Sequence, residues 1–155
     1  MTLDRFTIKA QEAIQAGINK AQSLDQQTIE PIHLLSGIME KGRDITGYLF
    51  QKIGINQELV VSATDRQLQH LPRVSGGQPY LSNDSNAVIQ KAISYSQEMG
   101  DEFVSIEPLL LALLCVNSTA SRILKDAGCT EKELRKAIKA LRQGQKVQSQ
   151  SGDEN

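Results

Sequence analysis

The stretch EAIQAGINKAQ at residues 12–22 returns as AVIQKAISYSQ at residues 87–97, with Ile14-Gln15, Ile18 and Gln22 matched by Ile89-Gln90, Ile93 and Gln97, each 75 positions on. Around the first copy, Ala10, Ala13, Ile14, Gly17, Ile18 and Ala21 follow the i, i+3, i+4, i+7 spacing that puts apolar residues on one face of a helix. Val88, Ile89, Ala92 and Ile93 repeat that face. The duplication continues outward. Ile29-Glu30-Pro31 recurs as Ile106-Glu107-Pro108, 77 positions on, and Leu49-Phe50 with Gly54 recurs as Ile123-Leu124 with Gly128, 74 positions on. On this reading the second copy carries two extra residues between its first and second helices. Each copy reads as long helix, Glu-Pro start, apolar helix, short helix, glycine stop and fourth helix. The pattern predicts helices over 7–24, 29–40, 45–53, 57–69, 83–99, 106–116, 120–127 and 131–142, and no sheet, because no stretch alternates apolar and polar residues among β-branched neighbours. The fold class is all-α: a four-helix repeat over 7–69 and another over 83–142, packed as a pseudo-twofold helical bundle because one copy alone could not cover its apolar faces.

Punctuation supports these limits. Thr130 and Glu133 form a capping-box pattern, Cys129 is placed to staple onto Leu134, and Gly128 can end the preceding helix. At the start of the sixth helix Ser105 can cap, Glu107 sits where the helix dipole favours a carboxylate, and Pro108 costs little where no backbone donor is needed. Val104 can staple onto Leu109. Residues 70–82 have the Gly and Pro content of a link between the repeats. Residues 143–155 contain one apolar residue, Val147, and read as a flexible, disordered linker after a domain of residues 1–142.

Composition excludes several function classes. The 155 residues are 39% hydrophobic, enough for one ordinary core, and 17 Lys and Arg against 18 Asp and Glu leave a net charge of -1. That balance argues against nucleic acid or an anionic membrane as the main partner. The two cysteines, Cys115 and Cys129, make neither a disulfide framework nor a zinc site and read as reduced thiols. The start of the chain has no apolar signal region and the longest apolar run, 109–116, is too short to cross a bilayer, which together predict a cytoplasmic protein.

Residues Leu3-Asp4-Arg5-Phe6-Thr7, the duplicated Ile-Glu-Pro with its Leu-rich helix, Leu71-Pro72-x-Val74-x-Gly76, Gly100-Asp101-Glu102-Phe103-Val104-Ser105 and the run Leu141 to Val147 resemble, in this order, the Clp amino-terminal domain family of the ClpB type. The resemblance covers nearly the whole chain. It implies a chaperone domain that precedes two ATPase modules, which thread polypeptides out of aggregates as a hexameric ring. The phosphate loop such modules need, Gly-x-x-x-x-Gly-Lys-Ser/Thr, is not in this sequence, so ATP and magnesium belong to modules outside it and this chain is not itself an enzyme. The resemblance further implies a role in chaperone function for Thr7, Asp101 and Glu107. Each also has a structural reading, as the first helix cap, a turn residue and a first-turn carboxylate.

No catalytic or metal-binding residue is expected. His33 stands beside Leu34 and Leu35 without convergent donors, His70 has no nucleophile near it, and Asp101 with Glu107 is explained by helix-start electrostatics. A partner of unfolded or aggregated polypeptides instead needs a shallow apolar groove with few directional demands. Helix 106–116 is apolar on all sides and therefore central. Its first turn, Leu109 and Leu110, with Tyr80, Leu81 and Ile89, is the expected rim. Lys91 and Pro108 fall where some relatives of the family carry leucine or another apolar residue. An adaptor-docking domain, which would bind a folded partner through charged rims and lose affinity in salt, is the alternative, and a free-standing helical scaffold is a third reading. The isolated domain is expected to be monomeric.

Overall fold

The computed structural model describes residues 3–74 and 76–152. Its eight helices among these residues are α1 (Ile8–Ser23), α2 (Pro31–Lys41), α3 (Arg43–Ile53), α4 (Gln57–His70), α5 (Asn83–Glu98), α6 (Ile106–Cys115), α7 (Thr119–Asp126) and α8 (Glu131–Arg142). No single helix among them is long and apolar enough to cross a membrane. Helix α1 meets α2 almost backbone to backbone, because both present glycine at the crossing. A Cβ at Gly37 would lie 2.0 Å from the Ala13 carbonyl oxygen, and one at Gly17 would lie 2.6 Å from that of His33. Any side chain there forces the helices apart. Helix α6 runs through the centre, with Ile106 to Leu114 all buried, as its all-round apolar sequence requires.

Two short parallel contacts, β1 (Thr28–Ile29) with β2 (Tyr80–Leu81) and the bridge Phe6 to Val104, correct the expectation of no sheet. Strands of two residues are too short for an alternating pattern to be visible. Their positions define the pseudo-twofold. The residue two before α1 pairs with the residue two before α6, and the residue two before α5 pairs with the residue two before α2. Positions 6 and 81 are 75 apart, and so are 29 and 104, as are the starts of α1 and α5 and of α2 and α6.

The constant offset removes the two-residue insertion inferred from the Ile-Glu-Pro triplets. In the first copy that triplet straddles the helix start, with Glu30 as N-cap and Pro31 as first residue. In the second it forms the first three residues of α6 behind an N-cap at Ser105. The shared letters thus sit two positions apart in the helix. Ser105 also differs from its expected role, since its side chain makes no capping hydrogen bond and instead accepts from the Arg142 guanidinium at 3.0 Å. Thr130 does cap α8, accepting from the Glu133 backbone N–H at 3.2 Å. Gly54 ends α3 at φ 94° and Gly128 follows α7 at φ 104°, a left-handed conformation that glycine adopts at little cost.

The segment after α8 is also corrected. Through residue 152 it lies against the domain, and residues 153–155 of the expected linker fall outside the described residues. Val147 is 6% exposed, the Glu102 N–H donates to its carbonyl at 2.8 Å, and the Ile8 N–H donates to the carbonyl of Gln150 at 2.6 Å. One apolar residue in a polar run carries little patterning weight, yet it is enough to fill a slot the folded domain already provides.

Candidate functional site

The three polar positions singled out by resemblance are all buried. Thr7 is the N-cap of α1, its hydroxyl accepting from the Ala10 N–H at 3.1 Å, while its own N–H donates to the Val104 carbonyl at 2.9 Å across the bridge between repeats. Asp101 and Glu107, 8% and 4% exposed, converge on Arg142. The guanidinium donates to both oxygens of Asp101 at 2.8 and 2.7 Å and to Oε1 of Glu107 at 3.0 Å. Asp101 also accepts from the Val147 backbone N–H at 2.9 Å. Burial pushes the guanidinium pKa down, but the charges of Glu107 and Asp101 outweigh that and hold it above its ordinary value. The planar fork suits this task, because one cation must satisfy two carboxylates and a hydroxyl in fixed directions.

The first repeat holds the neutral counterpart of this cluster. Gln26 and Leu68 are the positions equivalent to Asp101 and Arg142, 75 and 74 residues earlier. The Gln26 amide donates to the Leu68 carbonyl at 2.6 Å, and its Oε1 accepts from His33 Nε2 at 2.7 Å. The Glu30 N–H donates to His33 Nδ1 at 2.9 Å, which fixes the proton on Nε2. Burial lowers the His33 pKa to about 4, so the ring is neutral near pH 7. In both repeats a polar cluster that includes the turn after the first helix therefore ties the second helix to the end of the fourth, through Gln26 in the first repeat and through Arg142 in the second. These are structural clasps, and His33 is the satisfied structural histidine expected from its neighbours.

The expected apolar rim splits. Ile89, Leu109 and Leu110 are 3%, 0% and 0% exposed and belong to the core, which corrects their assignment to a binding surface. The reason is that α5 and α6 pack on one another and all three residues join the buried core cluster. Leu81 is half-buried, packed on the core and held in β2. Tyr80 alone is open, 54% exposed, with its hydroxyl 2.8 Å from Thr28 Oγ1. It borders a concavity of about 230 Å³ shared with Val74, Leu71, Pro72 and Gln27. Val74, 53% exposed, was missed as a binding candidate, although it lies in the link whose spacing carried part of the resemblance. A second concavity of about 340 Å³ continues past Leu71 and Glu30 toward Asp84 and Arg122. The link over this surface is anchored, with the Val74 N–H donating to the Asp25 carbonyl at 2.7 Å and Gln27 donating to the Gln78 carbonyl at 3.1 Å.

The face bearing Lys91 and Pro108 is of different character. Pro108 is buried, and Lys91 Nζ and Arg135 Cζ stand over the Tyr95 ring, 5.3 and 5.0 Å from its centroid. Arg135 in turn donates to Glu131 at 2.8 Å and Glu98 at 2.9 Å. Charge covers the ring here.

Comparison with known proteins places this architecture. Residues 5–127 match the family described as Clp repeat (R) N-terminal domain. The chain is 58% identical over 155 residues to a chaperone protein ClpB of Bacteroides thetaiotaomicron, and 44% identical over 154 residues to that of Porphyromonas gingivalis. The alignments take in 100% and 99% of the chain but 18% of each relative, so the chain spans under a fifth of their length. In fold it is similar to the Hsp104 N-terminal domain of Candida albicans, with a TM-score of 0.82 at 23% identity over 97% of this chain and 99% of that one. It is also similar to the N-terminal domain of the caseinolytic protease associated chaperone ClpD of Arabidopsis thaliana, with a TM-score of 0.69 at 26% identity over 91% and 97%. The duplicated four-helix repeat, its crossed bridges and these matches agree: the chain belongs to the Clp N-terminal-domain family.

Proposed function

We propose that this domain docks exposed apolar segments of unfolded or aggregated polypeptides for an ATP-driven disaggregase of the ClpB type, and that it does so on the surface of Tyr80, Val74 and Leu71. The observation that carries the reading is the exposure of Tyr80 and Val74 by more than half on a link anchored at both ends. Large apolar side chains held in place in the open contribute contact area with little ordering cost, and a shallow groove accepts many sequences weakly. The naming of the ClpB relatives as chaperones supports the same reading. ATP, magnesium, a hexameric ring and a cytoplasmic setting then belong to the larger protein. Thr7, Asp101 and Glu107 act by holding the repeats and the segment after α8 in place, not by touching the client.

An NMR titration with a permanently unfolded polypeptide tests this. Shifts should concentrate at Leu71, Val74 and Tyr80, and Tyr80→Ser with Val74→Ser should weaken binding about tenfold, the scale on which exposed aromatic anchors act. Unchanged affinity in that variant would overturn the reading. The Arg135 network favours one other occupant, a folded adaptor held by charge. Binding that collapses in high salt and moves Lys91 and Arg135 resonances would select it.

A further inference from the structure

A third concavity, also of about 340 Å³, lies on the second repeat between α8 and the segment that follows it. Its floor is apolar, made by buried Ile138 and half-buried Met99, and its rim is cationic, made by Arg135, Lys139, Arg142 and Lys146. Among the described residues no carboxylate lines it. The four cations are not equivalent. Arg135 is paired with Glu98 and Glu131, and Arg142 with Asp101 and Glu107. Among the described residues Lys139 and Lys146 have no ion-pair partner. The dipole of α8 accounts for Lys139 in its last turn. It does not account for Lys146, which lies beyond the left-handed Gln143 and folds back across the Gly100 turn, so that a Cβ at Gly100 would sit 3.0 Å from its Nζ.

We infer that this concavity binds a peptide segment in which an acidic side chain adjoins an apolar one, the apolar group on Met99 and Ile138 and the carboxylate between Lys139 and Lys146. The two lysines are exposed and, unlike Arg135 and Arg142, have no carboxylate partner among the described residues, so an incoming carboxylate can pair with both without displacing an existing ion pair. The apolar floor rejects purely polyanionic ligands, which would cover it without contact. This site is independent of the Tyr80 surface and of the reading given to it.

The test uses fluorescence anisotropy with three labelled, end-blocked peptides. One carries a central Leu-Phe flanked by Asp, one the same centre flanked by Lys, and one Asp flanks around Ser-Ser. The parent should bind the first at least about tenfold more tightly than either other, and added salt should weaken that binding. Lys139→Glu with Lys146→Glu should abolish the preference for Asp flanks, whereas Tyr80→Ser with Val74→Ser should leave it unchanged. Both lysines are exposed, so circular dichroism should show the reversed variant folded. Equal binding of the Asp- and Lys-flanked peptides, or of the Leu-Phe and Ser-Ser peptides, would overturn the inference. So would a preference for Asp flanks that survives the double reversal or disappears in the Tyr80 and Val74 variant.

Discussion

Replacing Arg142 by methionine keeps the length and apolar body of the side chain but removes the cation that, among the described residues, pairs with both Asp101 and Glu107. Both carboxylates are nearly enclosed, and Arg142 supplies three of their hydrogen bonds at 2.7–3.0 Å. Removing one partner of a buried ion pair leaves charge in a poor solvent and costs about 3–5 kcal/mol. Against a domain stability of about 5–15 kcal/mol, that is a large fraction. With a urea dependence of about 2 kcal/mol per molar, the unfolding midpoint should fall by about 2 M. The assay is urea denaturation at neutral pH followed by circular dichroism, with hydrogen exchange at Val147, whose N–H should lose protection because its acceptor Asp101 is no longer fixed. Adding Asp101→Asn and Glu107→Gln to the variant should restore most of the loss, since the uncompensated charges are gone. A single Arg142→Met variant that melts like the parent would refute the argument that this cluster is a structural clasp.

Thr130→Ala should cost about 1 kcal/mol by removing the cap on the Glu133 N–H, read as a lower denaturation midpoint. His33 is neutral when folded and its pKa is lowered to about 4, whereas the unfolded ring titrates near 6.5, so the unfolded state binds the extra proton between these values. Stability should therefore be full above pH 6.5 and fall by at most about 1.4 kcal/mol per pH unit as pH drops toward 4, a slope that His33→Gln should flatten in pH-dependent denaturation. Tyr80→Ser should change thermal stability by less than about 0.5 kcal/mol, as exposed substitutions do. Leu81→Ser should cost more than that, because Leu81 packs on the core, and Leu113→Ser should unfold the domain.

Helical periodicity made the eight helices and the duplication legible, because each helix buries a face long enough to repeat several times. What the sequence concealed was short or distant. Two-residue strands leave no pattern. Arg142 lies 41 and 35 positions from its two carboxylates, and nothing local marks it as their partner. A pair of carboxylates at buried positions does imply a cation somewhere, and the position equivalent to Leu68 was the place to look. The Ile-Glu-Pro match misled because identical letters at different helix positions look like a repeat in register. On the proposed surface, Tyr80 was readable beside Leu81 as part of the rim. Leu109, Leu110 and Ile89 were not separable from core, since an apolar residue at the start of a central helix looks the same whether it faces a groove or a neighbour.

The crossed bridges carry a consequence for how the molecule is made. Phe6 is registered by Val104 and Ile29 by Leu81, so neither half completes its own helix starts; each is finished by the other. Halves joined in this way have no separate existence, and hydrogen exchange should report one cooperative unfolding unit across both. The same arrangement makes the joint exchangeable between molecules. If the link of residues 71–79 were shortened until it could not span the gap, the first half of one chain would still find the surfaces it needs on the second half of another, giving a reciprocal dimer with the bridges between the halves kept.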